Sequence, residues 1–325
     1  MEPLRFTDGP RLLADVGGTN ARFAIETAAR QFDAVAVLPC SAYASLGAAI
    51  SAYLAGAAVV QYAADIRHAA IAIANPVDGD VVSMTNHTWS FSITALREEL
   101  DLTTLLVVND FTALAMALPH LRPSQRLRVG EGMEIPGRTI GLIGPGTGLG
   151  VSGIVPAEGG WSALASEGGH ASFAPGDELE IAIMQQLWRD YGHASAERLL
   201  SGPGLEVIYR VISGKALGAA DITRSALDGS DPECVRTVNC FCGVLGAVAG
   251  NVALTLGATG GLYVGGGIVP RLGQLFVDSP FRARFEAKGR LQSYLARIPT
   301  FLITEQYPAF LGVSAILSGQ GGHRH

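Results

Sequence analysis

Apolar runs of strand length recur along the chain, and several lead directly into glycine-rich turns. Leu12-Leu13-Ala14-Asp15-Val16-Gly17-Gly18-Thr19-Asn20-Ala21-Arg22-Phe23-Ala24-Ile25 reads as an apolar strand, a tight polar turn and a second strand. Residues 11–25 and 31–38 are predicted as successive strands, 43–54 as a helix, 68–74 as a strand, and 105–109 as a buried strand feeding a helix. The order β, β, β, α, β, α implies a mixed sheet with helices on it. Residues 139–155 repeat the strand, glycine turn and strand, and Gly265-Gly266-Gly267 follows the strand-like Leu262-Tyr263-Val264. Beyond the second hairpin the pattern turns helical. Asp177 with Glu180 resembles a capping box for a helix over 181–191, and Ser195 is placed to cap a short helix over 197–200. Residues 300–304 read as a strand, and 308–317 as a helix that packs back on the first domain.

A length of 325 residues suits two domains, and 48% apolar content gives each of them material for a core. Hinges near Pro119 and over 304–308 divide the chain into a smaller α/β domain, 1–119 plus 305–325, and a larger one, 120–304. No charged residue lies between Arg236 and Arg271. Nine glycines, Asn239, Asn251 and three threonines interrupt that run, so it reads as a buried helix leading into a central strand rather than a membrane span.

The net charge of −6, with only 23 Lys and Arg, argues against an extended basic footprint for nucleic acid, and there is no polybasic patch for a membrane. Cys40, Cys234, Cys240 and Cys242 form no C-x-x-C pair, and residues 1–11 lack the apolar core of a secretory signal. A reducing cytoplasm is the expected location, and Cys240-Phe241-Cys242 is read as buried thiols rather than a zinc site.

Two adjacent glycines at 17 and 18 allow positive φ and close approach of backbone to a ligand, while Thr19 and Asn20 add side-chain donors. Asp15, at the end of the strand, is placed to hold a hydrated Mg²⁺. Taken alone, the segment is also accounted for by an ordinary hairpin. The similarity of 14–25 to 143–154 changes its weight. No G-x-x-x-x-G-K-[ST] occurs and no G-x-G-x-x-G sits in a βαβ context, so P-loop and Rossmann nucleotide binding are disfavoured. The repeated turns suggest instead a duplicated fold whose two hairpins, one from each domain, clasp a nucleoside triphosphate across a cleft. That is the plan of actin, Hsp70 and the sugar kinases.

Leu105-Leu106-Val107-Val108-Asn109-Asp110 puts two polar residues at the carboxyl end of an apolar strand, where α/β sheets bind ligands. Asp110 either caps the helix that follows or accepts a proton from an attacking hydroxyl. In Ser166-Glu167-Gly168-Gly169-His170 a carboxylate and an imidazole flank two glycines, alternating acceptor and donor as a hydroxyl-rich ligand requires. A structural histidine and a solvated loop glutamate account for the same turn, and Glu197 is favoured by the dipole of its own helix. Asn86 and His87 either line a sugar or pack a loop.

The ordered motifs A-D-V-G-G-T-N-A-R-F-A, M-T-N-H-T-W, N-D-F-T-A-L-A, G-P-G-T-G-L-G, S-E-G-G-H, E-R-L-L-S-G-P-G-L and G-G-G-I-V-P-R cover nearly the whole chain. By these the chain resembles the bacterial glucokinases of the hexokinase and actin-like superfamily, of the type found in enteric bacteria. The zinc-containing repressor and kinase group is less similar, because no C-x-C-G-x-x-G-C follows His170. The resemblance implies an α/β fold of two actin-like (ribonuclease H-like) domains, with mixed sheets flanked by helices and an interdomain cleft. It implies ATP-dependent phosphorylation of D-glucose to glucose 6-phosphate, with another hexose, or a sugar sensor without turnover, as the alternatives. Carried across position by position, it makes Asp110 the catalytic base and Asn109, Asp110, Glu167, His170 and Glu197 the sugar ligands. Ala14, Asp15, Val16, Gly17, Gly18 and Thr19 would embrace phosphates, Asp15 would orient Mg²⁺ through water, and Gly146, Thr147, Gly148, Gly265 and Gly266 would hold the rest of ATP. A homodimer is also implied.

Overall fold

The first predicted strand, turn and strand form a hairpin of β1 (Arg11–Val16) and β2 (Asn20–Ala28) in the computed structural model, which describes residues 6–321. β3 (Gln31–Pro39) pairs antiparallel with β2, while β4 (His68–Ile73) lies parallel to β1. A two-stranded hairpin, β5 (Val81–Ser83) and β6 (Ser90–Ser92), stands apart from this sheet. β7 (Thr104–Asn109) completes the order β3-β2-β1-β4-β7 by pairing parallel with β4. The predicted order omitted the β5–β6 hairpin and the helix Ile93–Glu99, because three-residue strands are too short to show a period.

The second sheet repeats these connections. β8 (Arg126–Val129) is followed by the hairpin of β9 (Ile140–Pro145) and β10 (Leu149–Ala157), with β11 (Gly160–Ala163) antiparallel on β10. β12 (Gly261–Val264) lies parallel to β9, and β13 (Thr300–Ile303) parallel to β12. The order is β11-β10-β9-β12-β13-β8, so its first five strands follow the same rule of hairpin, hairpin, parallel, parallel. β8 is an antiparallel addition at the edge. The chain divides into two compact units, Met1–Leu121 with Gln306–His325, and Arg122–Glu305.

In the first unit β1 is buried on both faces, which is why Leu12, Leu13 and Ala14 read as consecutive apolar positions. Leu12, Ala14 and Val16 pack with Ala49 and Ile50 of the helix Leu46–Leu54. Leu13 and Ala24 meet Ala113, Phe310 and Val313 on the other side. The terminal helix, Pro308–Gly321, crosses the helix Asp110–Ala117 so closely that a Cβ at Gly312 would stand 1.7 Å from the Ala113 carbonyl oxygen. Gly312 therefore permits the close approach of the two helices.

The uncharged stretch forms most of the helix Pro232–Leu256, which leads into β12 as predicted. Val238, Phe241, Cys242, Leu245 and Ala249 are buried in the core of the second unit. It is the one helix among the described residues long and apolar enough to cross a membrane, and two-thirds of its most apolar window is buried.

Several local expectations are corrected by hydrogen bonding. The helix predicted from 43 begins at Leu46, where Ser45 accepts the Ala48 N–H. Asp177 does cap its helix by accepting the Glu180 N–H, but Glu180 takes the Gly176 N–H at 2.6 Å and pairs with Arg284 at 2.8 Å instead of closing a box. Ser195 stands at the N-cap of the helix Ala196–Leu199 without a side-chain capping bond. β7 is only half-buried beyond Leu105, because it forms an edge of its sheet.

Candidate active site

In the first unit β1, β4 and β7 run parallel, in a register that pairs Asp15 with Ala72 and Ile73 with Asn109. Asp15 and the Asn109-Asp110 pair thus arrive at the same carboxyl end of the sheet. Asn109 is the true cap of the helix: its Oδ1 accepts the N–H groups of Phe111 at 2.9 Å and Thr112 at 3.2 Å. Its amide donates to the Asn75 carbonyl at 3.4 Å. Asp110 shares the Phe111 N–H, through Oδ1 at 2.9 Å, and hydrogen bonding with Asn109 also acts to lower its pKa. The capping account of Asp110 is therefore met mainly by its neighbour, and the carboxylate retains accepting capacity.

Burial raises the Asp110 carboxyl to about 6, and the nearby charge of Asp15 adds to the effect. Asp15 is itself raised by burial, a shift opposed by Arg22, whose Nη1 lies 3.0 Å from Asp15 Oδ2. Arg22 is the partner of Asp15 across the β1–β2 register, so the hairpin itself supplies that cation.

The turn between β1 and β2 is closed by Gly17 N–H to Asn20 O at 3.0 Å and braced by Cys40 N–H to Thr19 O at 2.9 Å. Neither Gly17 nor Gly18 adopts positive φ, which corrects the conformational argument for these two glycines. Gly18 is needed for space: a Cβ there would stand 2.9 Å from Asn86. Asn86 thus packs under the turn. His87 lies edge-on to Trp89, ring centroids 4.8 Å apart, with its Nδ1 buried and unpaired among the described residues.

In the second unit Glu167, His170 and Glu197 come together. His170 Nε2 lies 3.8 Å from Glu167 Oε2, and its Nδ1 lies 3.7 Å from Glu197 Oε1. The side chains of Glu167 and His170 are 74% and 60% exposed, so they remain available to a polyhydroxyl ligand. Gly169 lets their turn lie flat on the start of β10, where a Cβ would approach the Leu149 oxygen to 2.1 Å. Glu197 Oε2 accepts the Leu149 N–H at 3.0 Å and lies where a Gly148 Cβ would be.

The β9–β10 turn meets two distant segments. Gly146 N–H bonds Gly148 O at 2.7 Å, Gly202 N–H bonds Gly146 O at 3.0 Å, and Ile268 N–H bonds Pro145 O at 3.3 Å. Gly146, Thr147, Gly202, Gly267, Thr223 and Arg271 line part of a cavity of about 840 Å³, a volume suited to a nucleotide. Gly265 gives its N–H to Ile143 O, and Gly266, at φ +82°, rests on the Pro145 oxygen. These two shape the turn rather than line the cavity, and Gly148 faces Glu197 instead. Sequence reasoning missed the helix Ala219–Leu227, with Thr223, as part of this wall, and Arg271 was visible only inside the G-G-G-I-V-P-R motif. Gly202 was visible only inside the S-G-P-G-L motif, where Ser201 caps the helix Gly202–Ser213.

No group of three or more His, Cys, Asp or Glu able to hold a metal occurs among the described residues. The one carboxylate at the first turn, Asp15, fits a cation that arrives on phosphate oxygens and keeps its waters.

A family model described as Glucokinase matches residues 12–320. The "Bifunctional protein glk" of Paraburkholderia xenovorans is 55% identical over 98% of this chain and 50% of its own length. The chain spans about half the length of this and similar bifunctional relatives. The glucokinase of Chromobacterium violaceum is 52% identical, with 95% of this chain and 89% of its own covered. Among solved structures, a glucokinase from an Antarctic psychrotroph superposes with a TM-score of 0.86 at 34% identity, over 96% of this chain and 99% of that one. A ROK family glucokinase from Streptomyces griseus, in complex with glucose and AMPPNP, shares the fold at a TM-score of 0.64 and 19% identity, covering 95% and 99%. With a family match over nearly its whole length and a relative of similar size at half identity, this chain belongs to the glucokinase family.

Proposed function

We propose that the chain catalyses transfer of the γ-phosphoryl group of ATP to the 6-hydroxyl of D-glucose. The observation that carries this reading is Asp110: a half-buried carboxylate raised to about 6 beside Asp15, at the carboxyl end of a parallel strand. A base with that pKa is ionised at neutral pH yet able to take the proton of an attacking hydroxyl, an effect of roughly 10²- to 10⁴-fold. Asn109 is fixed by its capping bonds and by its amide's bond to Asn75, next to the Asp110 carboxylate at the sugar position. Glu167, His170 and Glu197 supply the acceptors and donors that recognise the remaining hydroxyls. In this reading the 840 Å³ cavity takes the nucleoside, and the backbone amides of the glycine turns serve phosphate.

Mg²⁺, when bound, neutralises charge on the phosphates. Asp15, in this reading, orients it through water, while Arg22 opposes the upward push of burial on the Asp15 carboxyl. Gly18 and Thr19 present backbone donors to the same phosphates. The name of the Streptomyces griseus structure, with glucose and AMPPNP, supports the substrate pair. A cytoplasmic location is part of the proposal, supported by four free cysteines. So is a homodimer, which sedimentation equilibrium would read directly.

A coupled assay of ADP release with Mg-ATP and a panel of glucose, mannose, fructose and N-acetylglucosamine tests the reading. Glucose-dependent release far above the others is expected, with glucose 6-phosphate as product. Preference for another hexose would move the specificity, and no turnover with any sugar would overturn the enzyme.

A further inference from the structure

A second cavity, of about 290 Å³, lies in the unit Arg122–Glu305, away from the 840 Å³ cavity. The pocket is partly open to solvent, with room for about ten groups at ~30 Å³ each. Val151, Leu164, Phe173, Val248 and Val252 make its apolar wall. Gly168 and Ala171 also line it, so it backs onto the turn that carries Glu167 and His170.

One cation enters this wall. Lys288 Nζ donates to the Ala247 carbonyl at 2.8 Å and to Asn251 Oδ1 at 2.7 Å. Those bonds take two of three ammonium hydrogens and fix the position of the third. No carboxylate among the described residues pairs with it, and burial together with Arg284 lowers its pKa below the usual lysine value. The ammonium is thus held by neutral acceptors alone, at the edge of an apolar chamber, with the Asn251 amide hydrogens beside it. An ammonium in that setting gains most from an anion that also fills the apolar space.

We infer that this cavity is a binding site for a small anion with an apolar body, a branched or aromatic carboxylate or phosphate monoester, whose charge meets Lys288 and Asn251. The occupant fills the space behind the Ser166–His170 turn and steadies the side chains of Glu167 and His170. Bound anion therefore tightens glucose binding. The coupling to glucose rests on the proposed sugar kinase reading, whereas the site does not.

The test is calorimetric titration of the full chain, without sugar or nucleotide and at constant ionic strength, with phenylacetate and with phenyl phosphate. 2-Phenylacetamide and benzyl alcohol serve as uncharged controls. One-site saturation by at least one anion is expected, with the uncharged controls weaker by about tenfold or more. Which anion binds tighter separates the carboxylate from the phosphate source. Lys288→Met should weaken the anion by about tenfold or more. Val248→Phe, which fills the chamber without removing the ammonium, should abolish binding. Failure of both anions to saturate, or unchanged binding in both variants, overturns the site. A chain that is dimeric, binds neither probe and dissociates on Val248→Phe assigns this face to a second copy and likewise overturns it. Tryptophan fluorescence then reads the glucose Kd with and without saturating anion. A fall of about threefold or more is expected, and saturation without any change overturns the coupling. If the wild type binds the anion but no sugar, the kinase reading fails while the site stands.

Discussion

The Glu197 carboxylate joins two parts of the site: Oε2 accepts the Leu149 N–H at 3.0 Å, and Oε1 lies 3.7 Å from His170 Nδ1. Leu149 opens β10 directly after the Gly146–Gly148 turn, so one side chain bonds the exit of that turn and faces His170. Glu197→Gln keeps an oxygen for Leu149 but removes the charge facing His170. Glu197→Ala leaves the Leu149 N–H without its acceptor, a loss of roughly 1–3 kcal/mol. Steady-state kinetics should show glucose KM raised in both variants and ATP KM raised in the alanine variant alone. Equal ATP KM values in the two would remove Glu197 as the brace of the hairpin.

Activity should fall on acidification through about 6, where Asp110 takes up its proton. Asp15 contributes to that high value, so Asp15→Asn should move the acidic limb of kcat to lower pH even though kcat itself drops. A limb that stays in place would show that burial alone sets it.

Asp110 also makes a prediction about stability. Its folded pKa, about 6, lies above the ordinary 3.8, so the folded chain keeps a proton that the unfolded chain releases across that interval. Stability therefore declines as pH rises from about 4 to 6, and above that window the buried charge is unfavourable. Asp110→Asn should raise Tm at pH 7 and leave it nearly unchanged at pH 3.5. A lower Tm at pH 7 would contradict the assigned environment.

Gly312 sits far from Asp110 in sequence but packs against Ala113 of the helix that Asp110 begins. Adding a Cβ would force the terminal helix off the Ala113 carbonyl, which in a packed core costs roughly 1–3 kcal/mol. Gly312→Ala should lower the urea midpoint by a corresponding amount and lower kcat with little change in ATP KM. Wild-type kcat in a destabilised variant would separate this contact from catalysis.

The parts of the site legible in the sequence are those built locally. The β1–β2 and β9–β10 hairpins, and the Asn109-Asp110 step at the end of β7, each lie within about twenty residues and announce themselves by apolar run and turn. The function of single glycines was not legible. Gly18 and Gly148 are required by neighbours, Asn86 and Glu197, that only the fold brings close, whereas Gly266 does need its positive φ. The larger cavity was likewise hidden, because Thr147, Gly202, Thr223 and Arg271 come from four separate segments. Asn109 could be seen as a polar strand end, yet its capping of Phe111 and Thr112 depends on where the helix starts, and helix starts are poorly fixed by pattern alone.

The measurement that bears most directly on the central claim pairs glucose binding with turnover in Asp110→Asn. Glucose Kd within a few-fold of wild type, with kcat reduced by roughly 10²- to 10⁴-fold, is the expected result. Near-normal kcat with glucose binding intact would contradict the assignment of Asp110 as the base.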